Sequence, residues 1–553
     1  AGKSVTLTDH VVYKNLDTTK KYTLTGTLYA KDNDNLTKLT EKTVEFTPAK
    51  ENGTQDVTFT FDASGLKGKV VFAGEVLELD GKLCAEHMDA SDLNQTVFFP
   101  DVQTTALDGS TNDHISVAGS SVTITDTITY SGLCAGETYR VVGTLMNQRS
   151  GKAIEVNGKP VTSEANFTPK NEAAGTVDIK FTFDASSLEG SILVAYEKIY
   201  KGTEVVASHT DINDVDQSVS IPKIHTNAKD AVTKINHTEA KPQATIIDTV
   251  SYSNLLPGKE YTMTGKLMNK ATGKAILING KEITASTAFT AKKSSGSVQV
   301  VFEFDASALE GTTVVAYESL IYKGVEVAVH ADITDKDQTV YIPKVRTTAV
   351  NQATNDHTAS ASPNTIITDT VSYSGLEVGK SYEVQGVLMN RKTQKAIEVN
   401  GKQVTASATF TAKASDGTVD LTFTFDASAL SGVILVAFET LYTQGKEVAA
   451  HTDINDEEQT IYFLGIRTTA KDNVTGLNQM EATPNATLID EVAYTSLLPN
   501  KEYTLLGVLM NKETGRAVEV NGKQVTATTT FTPQTSDGTA SVVFNFDASA
   551  VEG

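Results

Sequence analysis

The chain has 553 residues, no tryptophan, two cysteines and a formal net charge of −21. That length suits four or five domains, and the acidity argues against nucleic acid or anionic membrane as a partner, since both need a basic patch. No apolar run is long enough for a membrane span, the first residues do not read as a signal peptide, and Cys84 and Cys134 lie in different repeats, so no repeat can close its own disulfide.

Internal repetition organises everything else. Thr-x-Ala occurs at Thr104, Thr226, Thr347 and Thr468, 122, 121 and 121 residues apart. Such a period is a whole domain, so the chain divides into units 1–100, 101–223, 224–344, 345–465 and 466–553. In chain order the third unit serves as the pattern. It opens on Ile224-His225-Thr226-Asn227-Ala228, where Ile, Thr and Ala share one face of a strand, and a polar loop follows. A strand from Ala244 to Tyr252 then turns Asp248, Val250 and Tyr252 to one side. Leu-Pro-Gly-Lys (256–259) is a turn, and Tyr261 to Met268 is a strand. Asn279-Gly280 signals a tight hairpin, matched by Asn157-Gly158, Asn400-Gly401 and Asn521-Gly522. Strands follow over Val298–Phe304, Thr313–Glu318, Val325–His330 and Gln338–Ile342. Asp-Ala-Ser (Asp184, Asp305, Asp426, Asp547) reads as a turn cap. With at least seven short strands and no convincing helix, the expected fold is all-β: tandem Ig-like antiparallel sandwiches, CnaB-like in outline. Links as short as Pro222-Lys223 and Pro343-Lys344 predict a stiff, monomeric rod.

Five residue types hold fixed places. They are Thr104, Asp126, Glu197, His209 and Gln217 in the second unit; Thr226, Asp248, Glu318, His330 and Gln338 in the third; and Thr347, Asp369, Glu439, His451 and Gln459 in the fourth. The glutamine shares a strand face with apolar residues, as does the aspartate, so both are expected inside, where an amide needs partners. The first unit carries only Asp9, Glu75, His87 and Gln95, and the last only Thr468 and Asp490. These half-sites suggest an internal piece of a longer protein; alternatively, Thr468 and Gln95 pair between molecules.

The residue types suit one reaction. A threonine hydroxyl becomes a nucleophile when a base takes its proton, and histidine is the side chain suited to that near neutral pH. Inward-facing acids have raised pKa values, and a protonated acid can polarise the glutamine carbonyl. Attack on the carboxamide expels ammonia and leaves a Thr–Gln ester, with proximity supplied by folding and the core excluding water. Thr226 lies on the first strand of its unit and Gln338 on the last, so the bond would carry tension across the bead.

At these residues the chain resembles the Thr–Gln ester-bond domains, or VaFE repeats, of Gram-positive surface adhesins. The motif stands as Val436-Ala437-Phe438-Glu439, with Val194-Ala195-Tyr196-Glu197 and Val315-Ala316-Tyr317-Glu318 as variants, joined by Thr-x-Ala and by Gln eight residues after His. Phe72-Ala73-Gly74-Glu75 departs from it. The resemblance implies an autocatalytic cross-link between Thr and Gln, assisted by His, Asp and Glu. It implies no cofactor and no metal. It also implies a stalk on the cell wall outside the cell, with a host-ligand domain and a sortase anchor to peptidoglycan lying beyond this chain. Other readings are a Thr-His-Asp hydrolase acting on an outside substrate, a ligand-binding adhesin head, a Lys–Asn isopeptide domain, for which no lysine repeats in phase, and a metal cluster at His209, Asp211 and Asp214.

Overall fold

The computed structural model describes residues 1–32, 35–170 and 174–551; the last two residues of the fifth unit lie outside them. The described residues form strands joined by turns and loops, with three short 3-10 turns and no α-helix. Each unit is two facing sheets. In the third, one sheet has three strands: Lys223–Asp230 at the edge, Ala244–Ser253 in the middle and Gly296–Phe304 beyond it. The other sheet centres on Glu260–Asn269 and Thr312–Tyr322. Thr284–Thr290 flanks the former, while Val325–His330 and Thr339–Ile342 share the free edge of the latter. The strand pairs within this unit are antiparallel.

Alternation decides the faces. Along the first strand Ile224, Thr226, Ala228 and Asp230 are buried, and between them His225 and Lys229 are exposed. Between the sheets lies an apolar core that includes Val250, Tyr261, Met263, Leu267, Phe302, Val314 and Leu320. One glycine is required by this packing. A Cβ on Gly265 would come within 2.6 Å of the Phe302 ring from the opposite sheet, and Gly265 stands directly beside Glu318. The same Gly–Glu neighbours recur as Gly143–Glu197 and Gly386–Glu439. Asn279 and Gly280 both have positive φ, 51° and 76°, as a type I′ hairpin requires.

Units are joined by more than their short links. The polar loop after each first strand reaches the next unit. Ile115 of the second unit is buried in the core of the third. Asp113 Oδ2 accepts from Lys323 Nζ at 2.8 Å, Lys259 Nζ at 3.3 Å and Tyr322 Oη at 2.7 Å. At the next junction His237, fully buried, contacts Tyr382 Oη through Nε2 at 2.7 Å. Its irregular position among the histidines gave no hint of this role.

Candidate functional site

The glutamine sits where the two sheets are tied together. In the second unit the residue before it, Asp216, accepts the amide proton of Ala106 on the threonine strand at 2.8 Å. Gln217 itself accepts the amide proton of Ala195 on the glutamate strand at 3.0 Å. The same two bonds occur at Ala228–Asp337 and Ala316–Gln338, and at Ala349–Glu458 and Ala437–Gln459. The alanines of both short motifs therefore have a mechanical meaning: they clamp the glutamine backbone from either sheet. Ala106 also stands opposite Asp126 across the strand pair, leaving room for the carboxyl on the threonine face.

Side chains complete the site. Thr104 Oγ1 donates to Glu197 Oε2 at 3.2 Å, and Gln217 Nε2 donates to Thr104 Oγ1 at 2.9 Å and to Glu197 Oε2 at 2.6 Å. The three atoms form a closed triangle. The fourth unit repeats it with Thr347, Glu439 and Gln459 at 3.0, 2.9 and 2.5 Å. In the third unit Gln338 Nε2 meets Glu318 Oε2 at 2.8 Å and the His330 carbonyl at 3.4 Å. There Thr226 Oγ1 makes no aligned hydrogen bond, although it lies beside both carboxyls and lowers their pKa values. All three glutamines and their acids are fully buried.

Burial governs the acids. Desolvation, reinforced by the neighbouring aspartate, raises Glu197 to about 10, Glu318 to about 11 and Glu439 to about 10. Desolvation also raises Asp126, to about 6, and raises Asp248 and Asp369. The aspartate oxygens find no ordinary donor among the described residues, so the proton held by the glutamate is what keeps two buried carboxyls side by side. Each pair titrates as a unit, with the glutamate neutral and the aspartate the more acidic partner at neutral pH.

Two sequence expectations change. Histidine was expected to be the base beside the threonine. Instead His209, His330 and His451 point Nε2 outward to Asp214, Asp335 and Asp456, at 3.0, 2.9 and 3.1 Å. Their Nδ1 atoms are buried without a hydrogen bond, and none reaches the threonine hydroxyl. Histidine pairs across the strands with the glutamate, so its backbone is fixed by the glutamate strand and its ring lies at the rim. The protonated acid was expected on the glutamine carbonyl; the glutamate Oε2 instead lies against the amide nitrogen. Of these histidine partners only Asp214 is singled out by the sequence, as a candidate metal ligand. Their signal was present as an aspartate five residues after each of His87, His209, His330 and His451, Asp92 included. The aspartates two residues after histidine cap turns instead, as Asp211 does for the Asn213 amide.

The end units hold half-sites. Gln95 Nε2 donates to Glu75 Oε2 at 2.5 Å, and Glu75 is raised to about 9. Asp9, Glu75, His87 and Gln95 line an open groove of about 460 Å³ where the other units have a threonine strand. Val97 is 36% exposed there, whereas Val219 and Val340 are 1% exposed under their threonine strands. In the fifth unit Thr468 is exposed on Gly465–Asp472, with Asp490 partly buried behind it.

A family model described as T-Q ester bond containing domain matches five times in succession, at residues 1–99, 100–221, 222–342, 343–463 and 464–553. No curated protein matches the chain. Among solved structures, a Mobiluncus mulieris adhesin containing intramolecular disulfide, isopeptide and ester bond cross-links is 17% identical. It covers 46% of this chain and 88% of its own, with a TM-score of 0.20. Three N-terminal domains of the bacteriophage RB49 outer capsid protein Hoc are 10% identical, over 65% of this chain and 97% of theirs, with a TM-score of 0.25. T-Q domains form one intramolecular cross-link each and do not turn over outside substrates. This chain belongs to the family of T-Q ester bond containing domains, which is defined by intramolecular Thr–Gln ester cross-links.

Proposed function

We propose that Thr104–Gln217, Thr226–Gln338 and Thr347–Gln459 are the ester pairs, and that units 101–223, 224–344 and 345–465 are each locked by one bond. The observation that carries this is the triangle of hydroxyl, carboxyl and carboxamide nitrogen, closed in the second and fourth units. The glutamate touches both the nucleophile and the leaving group. As the threonine oxygen adds to the glutamine carbonyl carbon, its proton passes to the acid pair. The glutamate returns a proton to the departing nitrogen, the C–N bond breaks, and ammonia leaves. One hydroxyl and one carboxamide become one ester and one ammonia, with no net change in the acids. Asp126, Asp248 and Asp369 supply the charged end of each pair. His209, His330 and His451 close the rim and add positive charge near the acids when protonated.

In this reading the chain is a structural stalk of a Gram-positive cell-surface adhesin. It stands outside the cell, joined through further segments to peptidoglycan and to a domain that binds a host ligand. Tension enters a unit at its first strand and leaves at its last, and the ester joins those strands directly. Unit junctions buried around Ile115 and His237 suit a stiff stalk. Intact-protein mass spectrometry tests the cross-links. The chain should weigh three ammonias less than its sequence, and Thr104→Ala, Thr226→Ala and Thr347→Ala should each restore one. A chain at full sequence mass would end the proposal.

A further inference from the structure

The residue before the cross-link threonine differs between units: Gln103, His225, Arg346 and Arg467. Its side chain leaves the outer face of the first strand, beside the loop that follows the unit's histidine. In the third unit this brings two imidazoles together. The rings of His225 and His330 lie 5.4 Å apart, centroid to centroid. His330 Nε2 is 2.9 Å from Asp335 Oδ2, and His225 Nε2 is 3.8 Å from Asp337 Oδ2. Ligand atoms of His225, His330 and Asp335 all lie within 4.8 Å of one another, and no other such group of three occurs among the described residues.

We propose that His225, His330 and Asp335 form a binding site for a Zn²⁺-class transition-metal ion, unique to the third unit, with Asp337 or water completing the shell. Two neutral imidazoles and a carboxylate favour Zn²⁺, Co²⁺, Ni²⁺ or Cu²⁺ over Ca²⁺ and Mg²⁺, which prefer all-oxygen shells. Around a tetrahedral ion with bonds of 2.0–2.1 Å, neighbouring ligand atoms stand about 3.4 Å apart. The His330–Asp335 pair is already inside that distance. From the 4.8 Å bound, His225 has to swing inward by up to about 1.4 Å to reach it, and its side chain is 56% exposed.

The loop that carries the acids is held before any ion arrives. Asp335 accepts the Asp337 amide at 2.8 Å through Oδ1, leaving Oδ2 for the ion. The Asp337 carbonyl is fastened to Ala228 on the threonine strand. The other units lack the second imidazole. Gln103 offers a weakly coordinating amide, and Arg346 places a cation near His451, whose pKa is lowered first by burial and then by that arginine. The site therefore takes one ion per chain. It does not depend on ester formation, because the proposed ligand His330 Nε2 faces Asp335 and not the buried Glu318–Gln338 pair.

Untagged full-length chain, stripped with a chelator, is dialysed against Zn²⁺ or Co²⁺ in several-fold excess, and bound metal is counted. One ion per chain is expected, with the strong visible absorption of tetrahedral Co²⁺. His225→Gln, which installs the second unit's residue, should weaken binding by about tenfold or more through loss of one of three protein ligands. Its thermal unfolding in chelator should match that of the parent, which separates ligand loss from misfolding. Intact mass read on the same samples reports the esters independently. No bound metal, or equal binding by parent and His225→Gln, would overturn the site.

Discussion

Thr347→Ala offers a quantitative test of the lock. Thr347 and Gln459 are 112 residues apart, and by analogy with a disulfide, closing a loop of about 100 residues stabilises a fold by roughly 4–5 kcal/mol through the unfolded chain. In the linked parent Thr347 Oγ1 is the ester oxygen and the Gln459 nitrogen has left as ammonia, so the hydrogen bonds of the unlinked site do not enter the difference. With a urea dependence of about 2 kcal/mol per molar, the midpoint of the fourth unit should fall by about 2–3 M. Hydrogen exchange of peptides from Ile434–Thr443, followed through a urea series, isolates that unit, and Thr312–Tyr322 in the third unit serves as internal reference. The reasoning is refuted if the variant gains the mass of one ammonia yet the exchange midpoint of 434–443 stays with the parent's. A variant with no mass gain would remove the bond itself.

The acid pair makes ester formation depend on pH. The proposed mechanism needs Asp126 charged and Glu197 protonated, so chain kept unlinked in urea and then refolded should link its second unit fastest between about 6 and about 10, slowing on either side, by intact mass against time. The linked-proton sign for Glu197 is also defined: its pKa is higher folded than unfolded, so the unlinked unit loses stability as pH rises from 4.5 toward about 10. Glu197→Gln keeps the size but cannot pass a proton, and should leave one extra ammonia on the chain. Gly265→Ala drives a Cβ to within 2.6 Å of Phe302, and overpacking of this kind should cost about 1–3 kcal/mol, read as earlier thermal unfolding of the third unit. His237, lowered to about 4 by burial from a usual 6.5, should loosen the junction of the third and fourth units as pH falls through that window, since only the exposed ring gains the proton; faster exchange at Tyr382 measures it.

Sequence alone determined the period, the strands and the inward phase of Thr, Asp and Gln. Alternation along a strand leaves a side chain only two faces, and apolar neighbours mark the buried one. It also carried the family, because Thr-x-Ala, Val-Ala-Phe-Glu and the His–Gln spacing together specify one arrangement. Only the tertiary structure decided which atoms meet. Spacing along one strand says nothing of rotamer: His209 and Asp214 turn to each other at the rim, while Glu197, from the neighbouring strand, takes the position between Thr104 and Gln217. The junction residues Asp113 and His237 and the paired rings of His225 and His330 were equally hidden. Each depends on contacts between segments about a hundred or more residues apart, which no local pattern encodes.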